Sequence, residues 1–209
     1  RLIGMNAAQT NSINSAFIIV LAIPFSMLWS FLKKKSIPLH SGIKAGIGII
    51  LLGVGFVIFG MSARSADAMA QTSMAYLIIG YFVLTTGELC ISPIGLSKMS
   101  ELSPAKYLAF IMGVFFTSSF YGHFFAGNIA KLTAVAEGSI PYFGSDLWQP
   151  IVRFFTGLQW REVEPADEAL QQLYSYVSVY TGFGCLAIAV GLFAIIIALG
   201  IKSLMGGVE

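Results

Sequence analysis

Residues 72–100 read TSMAYLIIGYFVLTTGELCISPIGLSKMS. The stretch is apolar or small almost throughout and carries one charge, Glu88, before Lys98. A helix that crosses a bilayer needs about 20 mostly apolar residues, so this segment is long enough to span. An ionised carboxylate at mid-membrane depth is costly unless it meets water, a cation or a proton. Glu88 therefore implies both a membrane fold and a polar space beside the helix that carries it.

Four further segments satisfy the same length criterion: 6–32, 42–61, 104–133 and 166–203. Pro24 and Pro93 interrupt two of the five, which neighbouring helices can tolerate by satisfying freed backbone groups. Composition agrees. Of 209 residues, 56% are hydrophobic and 11% charged, against roughly 25% charged in a soluble domain. So few charges cannot build a water-facing shell, and the surrounding solvent is the lipid bilayer. The net charge of +2 gives no footing for nucleic acid. Cys90 and Cys185 sit in apolar runs, as packed thiols do, and no metal-ligand cluster or cofactor fingerprint appears. The predicted fold is all-α and membrane-embedded, with about five transmembrane helices. The chain opens on Arg1 rather than Met and reads as a piece of something longer.

Three regions are expected: four spans within 1–133, an insert at 134–164, and a last span with its tail at 165–209. Ser103-Pro104 reads as a cap and first residue of the fourth helix, and Pro165 with Asp167 and Glu168 as the start of the fifth. Lys33, Lys34, Lys35, Lys44, Lys98, Lys106 and Lys202 fall at one set of helix ends. The positive-inside rule makes that side cytoplasmic, with the N-terminus outside and the C-terminus inside. The insert is acidic, with Glu137, Asp146, Glu162 and Glu164 against Arg153 and Arg161. Tyr142, Phe143, Trp148, Phe154, Phe155 and Trp160 suit the headgroup layer. Either a short helix near 145–158 lying on the outer surface or a folded outer loop fits this composition. Glycines recur in the second segment (Gly42, Gly46, Gly53, Gly60) and the fifth (Gly182, Gly184, Gly191, Gly200), as in closely packed membrane helices. Both segments lack interior charge and read as outer, lipid-facing helices.

Around Glu88, residues Tyr81, Thr85, Ser92 and Gly95 recur at helical spacing and share its face. Pro93 and Gly95 follow it, which suits either a gate that bends or a static kink. The fourth segment offers Met112, Phe115, Ser119 and Gly122 on one stripe. Ser119 and His123 lie four apart on one helix, which does not make a protease. In the first segment Gln9, Thr10 and Asn14 can face a common cavity, with Asn14 deepest and Pro24 kinking the inner half. Asn14 reads equally as a ligand contact and as interhelical glue.

Gly87-Glu88-Leu89-Cys90-Ile91-Ser92-Pro93-Ile94-Gly95-Leu96-Ser97, continued by Leu102-Ser103-Pro104-Ala105-Lys106 and Met112-Gly113, resembles the tenth helix, and the turn into the eleventh, of proton-dependent oligopeptide transporters of the major facilitator superfamily. Asn14-Ser15-Ala16-Phe17-Ile18-Ile19 with Pro24 resembles the family's eighth helix. The resemblance covers about Gln9 to Leu132, and the last span by position only.

It implies a major facilitator-type half-bundle, spans eight to twelve of twelve, from a multi-pass protein of the cytoplasmic (inner) membrane. It implies a symporter of di- and tripeptides with protons, not an enzyme. Glu88 would attract the peptide's amino terminus, Asn14 would bond its amide or amino group, and Phe115 and Ser119 would line the pocket. Pro93, Gly95 and Pro24 would act as hinges. The family usually carries Trp near Phe115, and the insert departs from its compact members. Its proton-linked acids and carboxylate-binding basic residues lie largely in the first half, so that half of the same transporter is an expected partner. Another major facilitator carrier, for a sugar, drug or anion, and a non-transporting membrane fragment are the alternatives.

Overall fold

The computed structural model describes residues 7–34, 41–67, 70–131, 146–163 and 168–204. Asn6, Lys35, Pro38, Glu137, Tyr142, Phe143, Glu164, Pro165 and Asp167 lie outside the described residues, as do the side chains of Gln9, Thr10, Lys33, Arg161 and Lys202.

Among the described residues seven α-helices follow in order: α1 (Ala7–Lys34), α2 (Ser41–Met61), α3 (Met74–Leu102), α4 (Leu108–Lys131), α5 (Gln149–Thr156), α6 (Trp160–Val163) and α7 (Glu168–Leu204). Five helical stretches among the described residues are long and apolar enough to cross a membrane: Ser12–Leu32, Ser41–Ser65, Met74–Leu102, Ala105–Ile129 and Glu168–Gly200. The described fold is thus an all-α bundle of membrane-spanning length.

The boundaries have local causes. Ser73 caps α3, its Oγ accepting from the Ala75 amide. Ser103 closes α3 rather than opening α4, its hydroxyl donating back to the Met99 carbonyl. Pro104 then precedes a 3₁₀ turn, Ala105–Tyr107, and α4 begins only at Leu108. The proline was expected at the first turn of α4. It serves instead to break α3, since it has no amide to continue that helix's ladder.

Glycine decides the packing. One face of α2 presents Gly46, Gly53 and Gly60 to α7, where Gly191, Gly184 and Thr181 stand opposite. A second face presents Gly48 and Gly55 to α3, opposite Gly87 and Gly80. Spacing by seven keeps each row on one line along the helix. A methyl placed on Gly53 would lie 2.6 Å from the Gly184 carbonyl oxygen, and one on Gly87 would lie 2.7 Å from that of Gly48. Backbone therefore meets backbone on both sides, as small residues permit between membrane helices. The structure puts α2 between α3 and α7 rather than at the rim expected of a charge-free helix. Absence of charge is shared by lipid-facing and glycine-packed helices, and the two glycine rows decide between them.

The pairings are antiparallel: Gly46 faces Gly191, while Gly60 faces Thr181. Lys44 sits 4.8 Å over the Trp29 ring of α1 at one end of the bundle. At the other end lie the Ser62–Ser65 turn, the start of α7 and the described part of the insert, 146–163. By contrast, α1 packs on α3 alone to any extent and α4 touches α3 sparingly. Large side chains of α4, including Phe110, Phe116, Phe120 and Phe125, stand exposed.

The described part of the insert is folded. A short helix, α5, occupies most of the stretch where one was expected. Pro150 sits in its first turn and Gly157, at φ 78°, ends it in the left-handed conformation that glycine adopts without strain. Val152, Trp160 and Val163 pack on Tyr174 of α7 with Leu158 and Leu170 around them. Arg64, beyond α2, donates Nε to the Phe155 carbonyl at 2.8 Å and Nη2 to that of Phe154. These are the C-terminal carbonyls of α5, the end of a helix that favours a cation.

Candidate functional site

The contact between α1 and α3 is built on polar groups. Phe17 meets Phe82 edge to face, with ring centres 5.7 Å apart, which sets the register of the two helices. One turn deeper, Thr85 is fully buried and its Oγ1 donates to Asn14 Oδ1 at 2.5 Å. The other end of the same amide, Nδ2, donates to Glu88 Oε2 at 3.4 Å. Thr85 and Glu88 lie one turn apart on α3, so a single residue of α1 bridges both.

The two bonds are unequal. The Thr85 bond is short, whereas 3.4 Å lies beyond the usual 2.7–3.2 Å range for N–H···O and marks a loose contact. Glu88 is half-buried, and no ion pair to it occurs among the described residues. An ionised carboxylate has about four acceptor positions. One loose amide leaves most of that capacity for a proton or a ligand's N–H groups.

The remaining sequence-derived candidates separate into two groups. Gly95 lies two turns from Glu88, and a methyl on it would stand 3.5 Å from the Phe115 ring, so α4 crosses α3 there. Pro93 is inside α3 and exposed, and Pro24 is inside α1 and exposed. Ser119 is exposed, with no hydrogen bond to Glu88, Asn14 or His123 among the described residues. The structure thus brings Asn14 and Glu88 together and Phe115 to Gly95, and leaves Ser119 apart from both pairs. Tyr81 turns away from Glu88 into a crevice of about 320 Å³ with Phe59, Tyr176 and Tyr180.

Thr85 belongs to the site and was not singled out as one of its residues. Its sequence signal was its position three residues before Glu88 on the same face. A threonine in an apolar helix usually bonds its own backbone, as Thr86 does to the Phe82 carbonyl at 2.8 Å. Only the placement of α1 tells the two threonines apart. Cys90 and Cys185 are free thiols, and no group of His, Cys, Asp and Glu among the described residues is arranged to hold a metal.

Comparison with known proteins places the chain in a family. The sequence pattern of the POT family matches residues 2–146. The peptide transporter YePEPT of Yersinia enterocolitica is 40% identical over 120 residues, which is 56% of this chain and 24% of that protein. The uncharacterised transporter YclF of Bacillus subtilis is 33% identical over 141 residues, covering 68% of this chain and 28% of the relative. Dipeptide and tripeptide permease A of Chromobacterium violaceum is 32% identical over 129 residues, 62% of this chain and 26% of the permease. Among solved structures, tetrameric PepTSo2 superposes with a TM-score of 0.62 at 22% identity, over 98% of this chain and 34% of that one. The chain spans about a quarter of the length of these curated relatives.

Proposed function

The chain belongs to the POT family, and from that premise we propose that it is the C-terminal part of a proton-coupled symporter that takes up di- and tripeptides across the cytoplasmic membrane by alternating access. The observation that carries the reading is Glu88, held at mid-span against α1 by one loose amide bond and free of any ion pair among the described residues. The names of the relatives, a peptide transporter and a dipeptide and tripeptide permease, support peptides as substrates.

In this reading α1, α2, α3, α4 and α7 are spans eight to twelve of a twelve-span carrier. The first half of the same protein supplies the opposite wall, where the basic groups for a peptide's carboxylate would lie. Glu88 accepts the substrate's ammonium or a proton, and Asn14 donates to a peptide carbonyl once its contact with Glu88 opens. Thr85 is a positioning residue that fixes the Asn14 amide. Phe115 and Ser119 line the approach from α4, and Pro93, Gly95 and Pro24 let α3 and α1 bend. The N-terminus lies outside and the C-terminus in the cytoplasm. Residues 1–133 carry four spans, 134–164 an outer insert, and 165–209 the last span with its tail.

The test is acid-driven uptake of a labelled dipeptide into vesicles containing the intact protein. Glu88→Gln removes the ionisable oxygen while keeping the shape, and proton-driven accumulation should fall by at least about tenfold. Accumulation at the wild-type level would take Glu88 out of the site. Uptake of another solute in place of the dipeptide would make the protein a different secondary carrier.

A further inference from the structure

The insert holds a feature that peptide transport leaves unused. Arg153, Gln149 and Gln159 line an open crevice of about 540 Å³ beside Pro150 and the Phe154 ring. The Gln159 amide, with its oxygen turned inward, accepts from Arg153 Nη1 at 2.5 Å, Nε at 2.6 Å and Nη2 at 3.1 Å. A guanidinium carries five N–H donors, so one carbonyl oxygen orients it without saturating it. Phe154 flanks the crevice at 71% exposure and Leu147, in the turn before α5, stands 80% exposed, values that place two large apolar side chains largely outside the protein.

The depth of this face is fixed. The opposite face of α5 is closed by Val152 and Thr156, packed toward Tyr174 in the second turn of α7. Arg64, at the end of the span Ser41–Ser65, holds the last carbonyls of α5. Two membrane spans end at this level, so α5 lies where the helices leave the apolar layer. An exposed phenyl ring, an exposed leucine and a fixed guanidinium at that depth match the layered chemistry of a lipid surface, acyl chain below and phosphate above. Asp146 and Glu162 are also exposed there. They disfavour an excess of anionic lipid and leave the phosphodiester common to zwitterionic lipids as the partner for Arg153.

We propose that α5 is a membrane-surface anchor, with Leu147 and Phe154 inserted among acyl chains and Arg153, oriented by Gln159, bonded to a phospholipid phosphate. The site concerns lipid only and stands whether or not the protein carries peptides. Planar guanidinium groups bind phosphate oxygens in pairs, which is the role Lys would fill less well.

A nitroxide at Phe154→Cys, with Cys90→Ala and Cys185→Ala, tests it in the intact protein. Nanodiscs of phosphatidylcholine, a zwitterionic phospholipid, are compared with nanodiscs of digalactosyl diacylglycerol, which lacks phosphate. In the phospholipid discs the label's preference for oxygen over a water-soluble nickel complex should exceed that at Glu101→Cys by about threefold. Arg153→Gln should reduce that preference by about half in phospholipid and leave it unchanged in the glycolipid. Equal collision with both reagents means the face is wet and overturns the anchor. Shielding from both means a protein segment covers the face, which overturns it equally. A buried label indifferent to Arg153→Gln overturns the phosphate contact. Arg153 and Phe154 are exposed, so a folding defect is not expected; an unchanged helical signal confirms that each variant is folded.

Discussion

Asn14 is engaged at both ends of its amide, with a tight acceptor role toward Thr85 and a loose donor role toward Glu88. The tight bond decides which way the amide faces, and the loose one is the part a substrate can exchange. Thr85→Val keeps the shape and removes the donor, so the amide loses its reference. We expect a loss of about 1 kcal/mol in stability and several-fold weaker dipeptide binding, read by thermal unfolding in detergent and by equilibrium binding to the intact protein. Asn14→Ala should weaken binding likewise. Combining the two should cost clearly less than their sum, because either change already releases the same contact. Full additivity, or wild-type affinity in Asn14→Ala, would reduce Asn14 to interhelical glue. At this scale the sequence was informative about charge and silent about partners. Glu88 stood out because an acid is rare at that depth. Thr85 and Thr86 are neighbours of identical chemistry, and only α1 distinguishes the one that reaches across from the one that bonds its own turn.

Element by element, glycine positions divide into those that touch backbone and those that touch little or nothing. A methyl at Gly53 would meet the Gly184 carbonyl at 2.6 Å and the Ile188 amide nitrogen at 2.8 Å. Neither can step aside, so Gly53→Ala should push α2 from α7 at a cost of about 1–3 kcal/mol. At Gly95 the nearest atoms are the Phe115 ring at 3.5 Å, an ordinary contact. Gly95→Ala should stay within about 0.5 kcal/mol of the parent. Unfolding midpoints measured side by side in one detergent give the comparison, and equal losses would contradict the seam. The existence and type of all five long helices were legible from apolar length, and the recurrence of glycine gave close packing. What was not legible was which helix sits in the middle. An apolar helix free of charge satisfies lipid and protein alike, and the deciding fact is that α2 carries two glycine rows two residues apart in phase, each matched by a row on a different helix. Ser103-Pro104 misled for a related reason: the same dipeptide can end one helix or open the next, and the Met99 carbonyl claims the serine.

Across the whole molecule, packing is uneven. Helices α2, α3 and α7 form a tight trio, while α1 and α4 hold on through limited contacts with α3. A methyl placed on Gly113, Gly122 or Gly127 of α4 would meet no atom of another element within 4 Å. If the rest of the carrier covers α4, Gly122→Leu should be neutral in this chain alone and destabilising in the intact protein. Identical behaviour in both would leave that face to lipid. Orientation is checked by labelling single cysteines in intact cells with an impermeant thiol reagent. Glu162→Cys should react directly, and Glu101→Cys only after the membrane is opened; the reverse order would invert the topology read from the lysines. The lysines supply that expectation because charge in short loops has few other causes. The loose attachment of α1 and α4 was not, since nothing in a single helix states how many neighbours it will have.

The paired glycine rows of α2 have a mechanical corollary. Side chains act as padding between most helices, and padding yields by changing rotamer. Between α2 and its two neighbours that padding is thin along these rows: backbone stands close to backbone at Gly53 and Gly184 and at Gly48 and Gly87, with side chains such as Ile188 and Ile91 filling the notches beside them, so sliding or tilting one helix drives peptide groups toward those beside it. The trio therefore behaves as a stiff plank with Arg64 and α5 bolted to one end and Lys44 at the other.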